Sequence, residues 1–145
     1  MHSWQQIFQD IWCLNWFEKF KAAPLPLRAT EWQKENLEAT RTALAMCENI
    51  DGNVGRIRDA LEKLGLNEET LVVYFSDNGP NTWRWNGGMA VIKGQCREGG
   101  VRSPCSITWP GHIPAGLVVN EPTGVIDLLP TLAELAGVNV KAAKP

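Results

Sequence analysis

The sequence lacks the features that would point to several common classes of protein. Its four cysteines, Cys13, Cys47, Cys96 and Cys105, form no C-x-x-C pair and have no histidine at zinc spacing, which is not the pattern of a structural zinc site. A net charge of -2 provides no general attraction to nucleic acid or to anionic membranes. No apolar run approaches the length of a membrane-spanning helix.

The sequence also lacks a recognisable secretory signal. There is no basic leader, and Gln5, Gln6, Gln9 and Asp10 interrupt any apolar stretch near the start. The localisation is therefore unknown from the residues alone. A length of 145 residues corresponds to one domain or to part of a larger one.

The first 21 residues are rich in aromatic side chains at roughly helical spacing. The apolar positions are Trp4, Phe8, Ile11, Trp12, Trp16 and Phe20. The pattern predicts an amphipathic helix, and because its polar face holds few cations we expect it to pack on a neighbouring element rather than lie on a membrane. Pro24 and Pro26 then mark a linker.

A second helical pattern begins at about Thr30, which is a candidate N-cap, and ends before Gly65, which suits a left-handed C-cap. The predicted buried stripe consists of Leu37, Leu44, Cys47, Ile50, Val54, Ile57, Leu61 and Leu64. An apolar strand, Leu71 to Phe75, follows a short turn. A helix, a short loop and an apolar strand are typical of an α/β fold with a parallel sheet.

The predicted strand lies within the sequence TLVVYFSDNGP, from Thr70 to Pro80, and is followed by Ser76, Asp77 and Asn78. Ligands bind at the carboxyl ends of strands in such folds, and the carboxylate of Asp77 beside the amide of Asn78 suits calcium or magnesium. The alternative is that Asp-Asn-Gly is an ordinary turn. Lys93, in the glycine-rich loop that follows, is either a cation that neutralises an anionic substrate or a plain surface lysine.

The remaining sequence predicts a short strand and a final helix. The strand is Ser106 to Trp109. We expect Asp127 to cap the helix, Pro130 to lie in its first turn and Gly137 to follow its end. The predicted buried stripe is Leu128, Leu132 and Leu135. The tail from residue 139 is expected to fray.

The order of ENIDGNVGRIRDALEKLGL, TLVVYFSDNGP, KG with EGGVRSP, WPGHIPAG and IDLLPTLAELAG resembles the later part of the catalytic domain of type I sulfatases, in the alkaline-phosphatase-like superfamily. The resemblance runs from about Trp32 to Val138. It implies an α/β fold that is a partial alkaline-phosphatase/sulfatase-like sandwich, with a mostly parallel sheet flanked by helices and its N-terminal strands missing. Residues 27–145 would be the C-terminal portion of that domain, and residues 1–26 an aromatic-rich leader of unknown role.

The resemblance implies the hydrolysis of a sulfate ester, with Asp77 and Asn78 as calcium ligands and Lys93 as the contact to sulfate; magnesium is the alternative metal. The family's nucleophile is a formylglycine made from the cysteine or serine of a C/S-x-P-x-R motif. No cysteine or serine here has that context, so no nucleophile is found. Calcium takes six to eight oxygens, and these two residues supply about three, so we expect an incomplete metal site and an inactive chain.

Three hypotheses remain open. The chain is a truncated product of a longer sulfatase, or it is a non-catalytic module that binds sulfated carbohydrate through Trp83, Trp85, Lys93 and Arg102, or it is a fragment of a related phosphoester hydrolase. EGGVRSP and WPGHIP favour a sulfatase over the last of these. We interpret Arg102 as structural, paired with a carboxylate. The resemblance implies a periplasmic, secreted or lysosomal protein. The sequence does not indicate the oligomeric state. We expect poor solubility, because a sheet that lacks its first strands exposes an edge.

Overall fold

The computed structural model describes residues 14–25 and 35–138 of the chain. Its elements in chain order are helix α1 (Leu14–Lys21), helix α2 (Leu37–Lys63), strand β1 (Val72–Phe75), the one-turn helix α3 (Glu98–Val101), strand β2 (Cys105–Thr108) and helix α4 (Val125–Leu135). The chain divides after Ile113 into two compact units, and α4 belongs to the second. Among the described helices none is both long and apolar enough to cross a membrane.

Helix α1 is the described part of the predicted aromatic helix. It packs against α2, as predicted, and both Trp16 and Phe20 are half-buried. The ammonium group of Lys19 donates a hydrogen bond to the carboxylate of Glu48 on α2. The other aromatic and aliphatic positions of the predicted helix, Trp4, Phe8, Ile11 and Trp12, lie outside the described residues.

Helix α2 begins at Leu37 because Asn36 caps it. The side-chain oxygen of Asn36 accepts a hydrogen bond from the backbone N–H of Ala39 at 3.0 Å, which satisfies one of the free N–H groups of the first turn. Thr30, the predicted N-cap, lies outside the described residues. The helix then continues without interruption for 27 residues, through both Gly52 and Gly55.

The end of α2 is as predicted. Gly65 has a φ of +68°, the left-handed conformation that glycine adopts most easily. Its N–H donates to the carbonyl of Glu62 at 3.0 Å, and the N–H of Leu66 donates to the carbonyl of Leu61 at 2.9 Å. These two bonds form a Schellman motif, which closes the last turn of the helix.

The predicted buried stripe of α2 is wrong at four of its eight positions. The residues of α2 that are buried are Ala39 and Ala45, near its start. Four predicted core positions are exposed: Cys47, Ile50, Ile57 and the C-cap Leu64. Within the part of the chain that the structure describes, the helix packed on α2 is α1, whose 8 residues are too few to cover the 27 residues of α2.

The sheet in the described residues has two antiparallel strands. Val72 of β1 is opposite Thr108 of β2, and Phe75 is opposite Cys105. The predicted parallel pairing is not found in this part of the chain, and it stays a prediction. Tyr74 and Phe75 are each 40% exposed, so the strand predicted to be buried is only partly covered. A ribbon of two strands has no second layer to bury both of its faces.

The turn after β2 is tied back to the segment before β1. The indole N–H of Trp109 donates to the carbonyl of Glu68 at 2.7 Å. The ring of His112 stacks on the indole with a centroid distance of 4.0 Å and an interplanar angle of 21°. His112 is exposed. These contacts fix the far end of the two-stranded ribbon.

In the second unit, the predicted N-cap of α4, Asp127, is wrong. Gly124 is the N-cap, and Asp127 lies in the first turn with its carboxylate accepting the Gly124 N–H at 2.8 Å. Pro130 therefore lies one turn further into the helix than predicted. Gly137 follows the helix end with a φ of +77°, as predicted. Of the predicted stripe, Leu128 is half-buried; the exposed members are Leu132 and Leu135.

Candidate functional site

The carboxyl end of β1 turns sharply at the predicted metal ligands. The N–H of Ser76 donates to the carbonyl of Pro104 at 3.2 Å, which ends the contact with the segment that leads into β2. The hydroxyl of Ser76 donates to the carbonyl of Asn78 at 3.2 Å. Asp77 lies between them and is exposed, whereas Asn78 is half-buried. The turn therefore leaves a carboxylate accessible at the edge of the ribbon.

Gly79 joins this turn to the EGG segment at the start of α3. Its N–H donates to the carbonyl of Gly100 at 3.0 Å. A Cβ atom added to Gly79 would lie 2.0 Å from the carbonyl oxygen of Gly99, closer than any real contact. The two backbones are in direct contact, so any side chain at this position would force them apart.

A second backbone contact lies immediately behind the first. The N–H of Gly99 donates to the carbonyl of Ala90 at 3.0 Å. A Cβ atom on Gly99 would lie 2.3 Å from the Ala90 oxygen and 2.4 Å from the Val91 oxygen. Gly79, Gly99 and the Ala90–Val91 segment are thus stacked backbone on backbone, which explains why the EGG motif requires glycine here.

Val91 adopts an unusual conformation in this stack. It is the one described residue other than glycine with a positive φ, +68°, and its side chain is buried. A β-branched residue in the left-handed region costs about 1–3 kcal/mol and persists only when its surroundings hold it there. The side-chain amide of Asn86 donates to the carbonyl of Val91 at 3.2 Å and to that of Met89 at 2.9 Å.

Lys93, the predicted sulfate contact, lies two residues beyond Val91. Its backbone N–H donates to the carbonyl of Pro80 at 2.8 Å, and its side chain is exposed. The structure therefore brings the lysine segment onto the same turn that carries Asp77 and Asn78. The bond from Lys93 to Pro80 joins these two segments, and the bond from Gly79 to Gly100 joins the same turn to α3.

The tryptophans of the loop have different surroundings. The carbonyl of Trp83 accepts the N–H of Asn36 at 2.6 Å, which anchors the loop at the start of α2. Trp85 is 42% exposed. Arg102 forms an ion pair with Glu98 at 3.5 Å, and both side chains are mostly exposed. The carboxylate partner agrees with the structural interpretation of Arg102, although an exposed pair of this kind contributes at most about 1 kcal/mol.

The oxygens of Asp77 and Asn78 suit a hard divalent cation, but they are few. Within residues 14–25 and 35–138, no group of three or more His, Cys, Asp and Glu side chains is placed to hold a metal ion. Calcium takes about six to eight oxygen ligands. The donor chemistry fits the metal, and the number of donors is that of a partial site.

Two residues of this region were not identified from the sequence. Asn86 precedes a Gly-Gly pair, which is a turn signal, but the sequence does not reveal that its amide folds back onto Met89 and Val91. Val91 gives no signal at all, because valine is among the residues least expected at positive φ. Both follow from the packing of one loop on another.

Comparison with known proteins identifies the relatives of the chain. Residues 15–138 match the family profile described as Sulfatase. Human Arylsulfatase A is 50% identical over 93 residues, a match that covers 61% of this chain and 18% of that protein. Steryl-sulfatase of Mus musculus is 45% identical over 100 residues, with 62% and 16% covered. N-acetylgalactosamine-6-sulfatase of the same species is 40% identical over 94 residues, with 61% and 18% covered.

Solved structures give the same result. Ps i-CgsB in complex with k-i-k-neocarrahexaose is 38% identical, with a TM-score of 0.66 over 70% of this chain and 23% of that chain. A second crystal structure of Ps i-CgsB is 27% identical, with a TM-score of 0.65 over 94% of this chain and 34% of that chain.

The matches to the curated relatives span less than a fifth of their length, between 16% and 18%.

Proposed function

The chain belongs to the sulfatase family, and from that premise we propose that it supplies part of a site that hydrolyses a sulfate ester. The observation that carries the proposal is the backbone hydrogen bond from the Lys93 N–H to the carbonyl of Pro80, which joins the segment of Lys93 to the turn that follows Asp77 and Asn78. These are the three residues that the sequence motifs single out. A common substrate would require their side chains to lie close together, and the backbone bond supports this arrangement.

In the proposed site, each residue has a distinct role. The oxygens of Asp77 and Asn78 would hold a divalent cation, calcium by resemblance to the family and magnesium as the alternative. The cation would supply positive charge to the sulfate oxygens when bound. The ammonium group of Lys93 binds a sulfate oxygen and offsets the charge that develops as the ester bond breaks.

The remaining parts of the proposed site lie outside these 145 residues. No serine or cysteine of the sequence has the C/S-x-P-x-R context from which the family's formylglycine nucleophile is made. We propose that residues 27–145 form the C-terminal portion of a sulfatase catalytic domain, with residues 1–26 as a leader. Further strands would extend the two-stranded ribbon into a mostly parallel sheet, and the chain alone would not turn over a sulfate ester.

A calcium titration of the ¹⁵N-labelled chain, followed by NMR, tests the proposed half-site. We expect saturable shifts at millimolar calcium, confined to the turn of Asp77 and Asn78 and to the adjoining Lys93 amide, because so few ligands bind weakly. Asp77→Ala should abolish them. Asp51→Ala, which removes an exposed carboxylate from α2, is the matched control. Shifts that survive Asp77→Ala, or that spread equally along α2, would rule out the site.

A second candidate function is the binding of a sulfated carbohydrate without catalysis. It is favoured by the exposure of both Trp85 and Lys93 in the same loop, since an aromatic face and a cation both suit a sulfated sugar. The name of one relative, N-acetylgalactosamine-6-sulfatase, and the neocarrahexaose bound to one structural neighbour support this class of ligand. Calorimetry with a sulfated oligosaccharide should give heat that Trp85→Ala removes. No heat at millimolar oligosaccharide would eliminate this function.

A further inference from the structure

The backbone between Asn86 and Lys93 contains one residue held in an unfavourable conformation. Val91 has a φ of +68° and a buried side chain, and no hydrogen bond within a helix or strand fixes it there. A valine released from this conformation would return to negative φ, which would change the direction of the chain that follows. Lys93 is two residues further on.

The side chain of Asn86 contacts the segment that contains Val91. Its side-chain amide nitrogen donates to the carbonyl of Val91 at 3.2 Å and to that of Met89 at 2.9 Å. Both partners are carbonyl oxygens, so only the nitrogen of the amide can face them. One side chain thereby bridges the carbonyl groups of the two residues that flank Ala90, and the carbonyl of Ala90 itself accepts the Gly99 N–H.

We propose that Asn86 is a positioning residue for Lys93, because it holds Val91 in the left-handed conformation and so sets where the loop presents the lysine at the end of β1. The proposal rests on the proposed role of Lys93 as the sulfate contact. Asn86 itself touches only the carbonyls of its own loop in the hydrogen bonds described, and it acts through the backbone. The position that it sets is secured by the bond from the Lys93 N–H to Pro80.

Hydrogen exchange of the Lys93 amide measures this position directly. Three variants of the full chain form a double-mutant cycle with the wild type: Asn86→Ala, Val91→Gly and the two combined. Glycine adopts a φ of +68° without strain, so Val91→Gly should reduce the need for the asparagine. Asn81→Ala, an exposed asparagine earlier in the same loop, is the matched control.

We expect Asn86→Ala to accelerate exchange of the Lys93 amide at least about tenfold, as the loss of two neutral hydrogen bonds implies. Val91→Gly in that background should recover most of the protection, and Asn81→Ala should leave it unchanged. Unchanged exchange in Asn86→Ala would overturn the proposal. So would additive effects of the two substitutions, or equal acceleration throughout α2 and β1, since either outcome would indicate a general structural role.

A second measurement separates this inference from the proposed function. Sodium sulfate is titrated into the wild type and into Asn86→Ala, and the Lys93 resonances are followed. We expect a sulfate-dependent shift in the wild type that weakens at least about fivefold in the variant, together with its lost protection. A shift of undiminished affinity in Asn86→Ala would overturn the positioning role. Absence of any sulfate-dependent shift in the wild type would refute the proposed role of Lys93 as the sulfate contact. The hydrogen-exchange cycle would still show whether Asn86 holds Val91 in the left-handed conformation.

Discussion

The contact between Gly99 and the Ala90–Val91 segment makes a specific prediction for Gly99→Ala. Gly99 lies in α3 and has no positive φ, so alanine is compatible with its backbone conformation. Any loss of stability in Gly99→Ala therefore comes from the steric clash of the added methyl group alone. That group would be 2.3 Å from the Ala90 oxygen and 2.4 Å from the Val91 oxygen.

The free-energy cost of Gly99→Ala depends on which atoms must move to make room for the methyl group. Carbon contacts are ordinarily about 3.5–4.0 Å, and both obstructing atoms belong to the backbone rather than to a flexible side chain. Overpacking of this kind costs about 1–3 kcal/mol, which corresponds to exchange about 5- to 150-fold faster if the loop opens locally. The EGG segment and the turn of Gly79 should be affected together, because Gly79 donates to Gly100.

Hydrogen–deuterium exchange with mass spectrometry measures this opening in peptides from the two loops. The control is Gly52→Ala, which has nothing within 4 Å of the new Cβ and lies inside α2. Alanine there should stabilise the helix by about 0.5–1 kcal/mol and slow exchange in α2. Exchange in the Gly79 turn that is as slow in Gly99→Ala as in the wild type would show that the backbone stack is not as close as described.

Three further predictions concern the rest of the chain. Asn36→Ala should lower the stability of α2 by about 1 kcal/mol by removing the N-cap bond, and Asn36→Asp should not, as measured by the helical signal in circular dichroism during urea unfolding. The chain alone should release no sulfate from an aryl sulfate with or without calcium, and calcium-dependent release would reveal a nucleophile that the sequence does not suggest. The exposed apolar side chains of Ile57 in α2, at 55%, and of its C-cap Leu64, at 70%, should make the chain associate at micromolar concentration. Sedimentation as a monomer at all concentrations would contradict this.

Local signals in the sequence predicted the ends of elements well. Gly65 and Gly137 follow their helices in left-handed conformation, because that conformation excludes most other residues and leaves a clear mark in the sequence. The cap of α4 was misplaced because an aspartate serves equally as an N-cap or as a first-turn residue that reaches back to the cap. Such a carboxylate fixes the helix start only to within one turn.

Predictions that depended on distant packing were less successful. The apolar stripe of α2 indicates a helix face that is suited to burial. Whether that face is buried depends on which other elements pack against it. For Ile50 and Ile57 the described residues provide no such cover. The strain at Val91 and the bridge from Asn86 arise where two loops meet, and no local pattern encodes them. The place of Lys93 in the loop after the strand left two interpretations, a cation of the site or a surface lysine, and the family resemblance favoured the first.

The most direct test of the central claim is a graft of residues 70–138 into a full-length sulfatase relative in place of its matching segment. If Asp77, Asn78 and Lys93 complete a sulfate-hydrolysing site, the folded chimera should release sulfate from an aryl sulfate, and Lys93→Ala within the graft should reduce kcat/KM by at least about 100-fold. Asn81→Ala in the same graft should leave the rate unchanged. A folded, active chimera whose rate is insensitive to both Lys93→Ala and Asp77→Ala would contradict the assignment of this strand end to the active site.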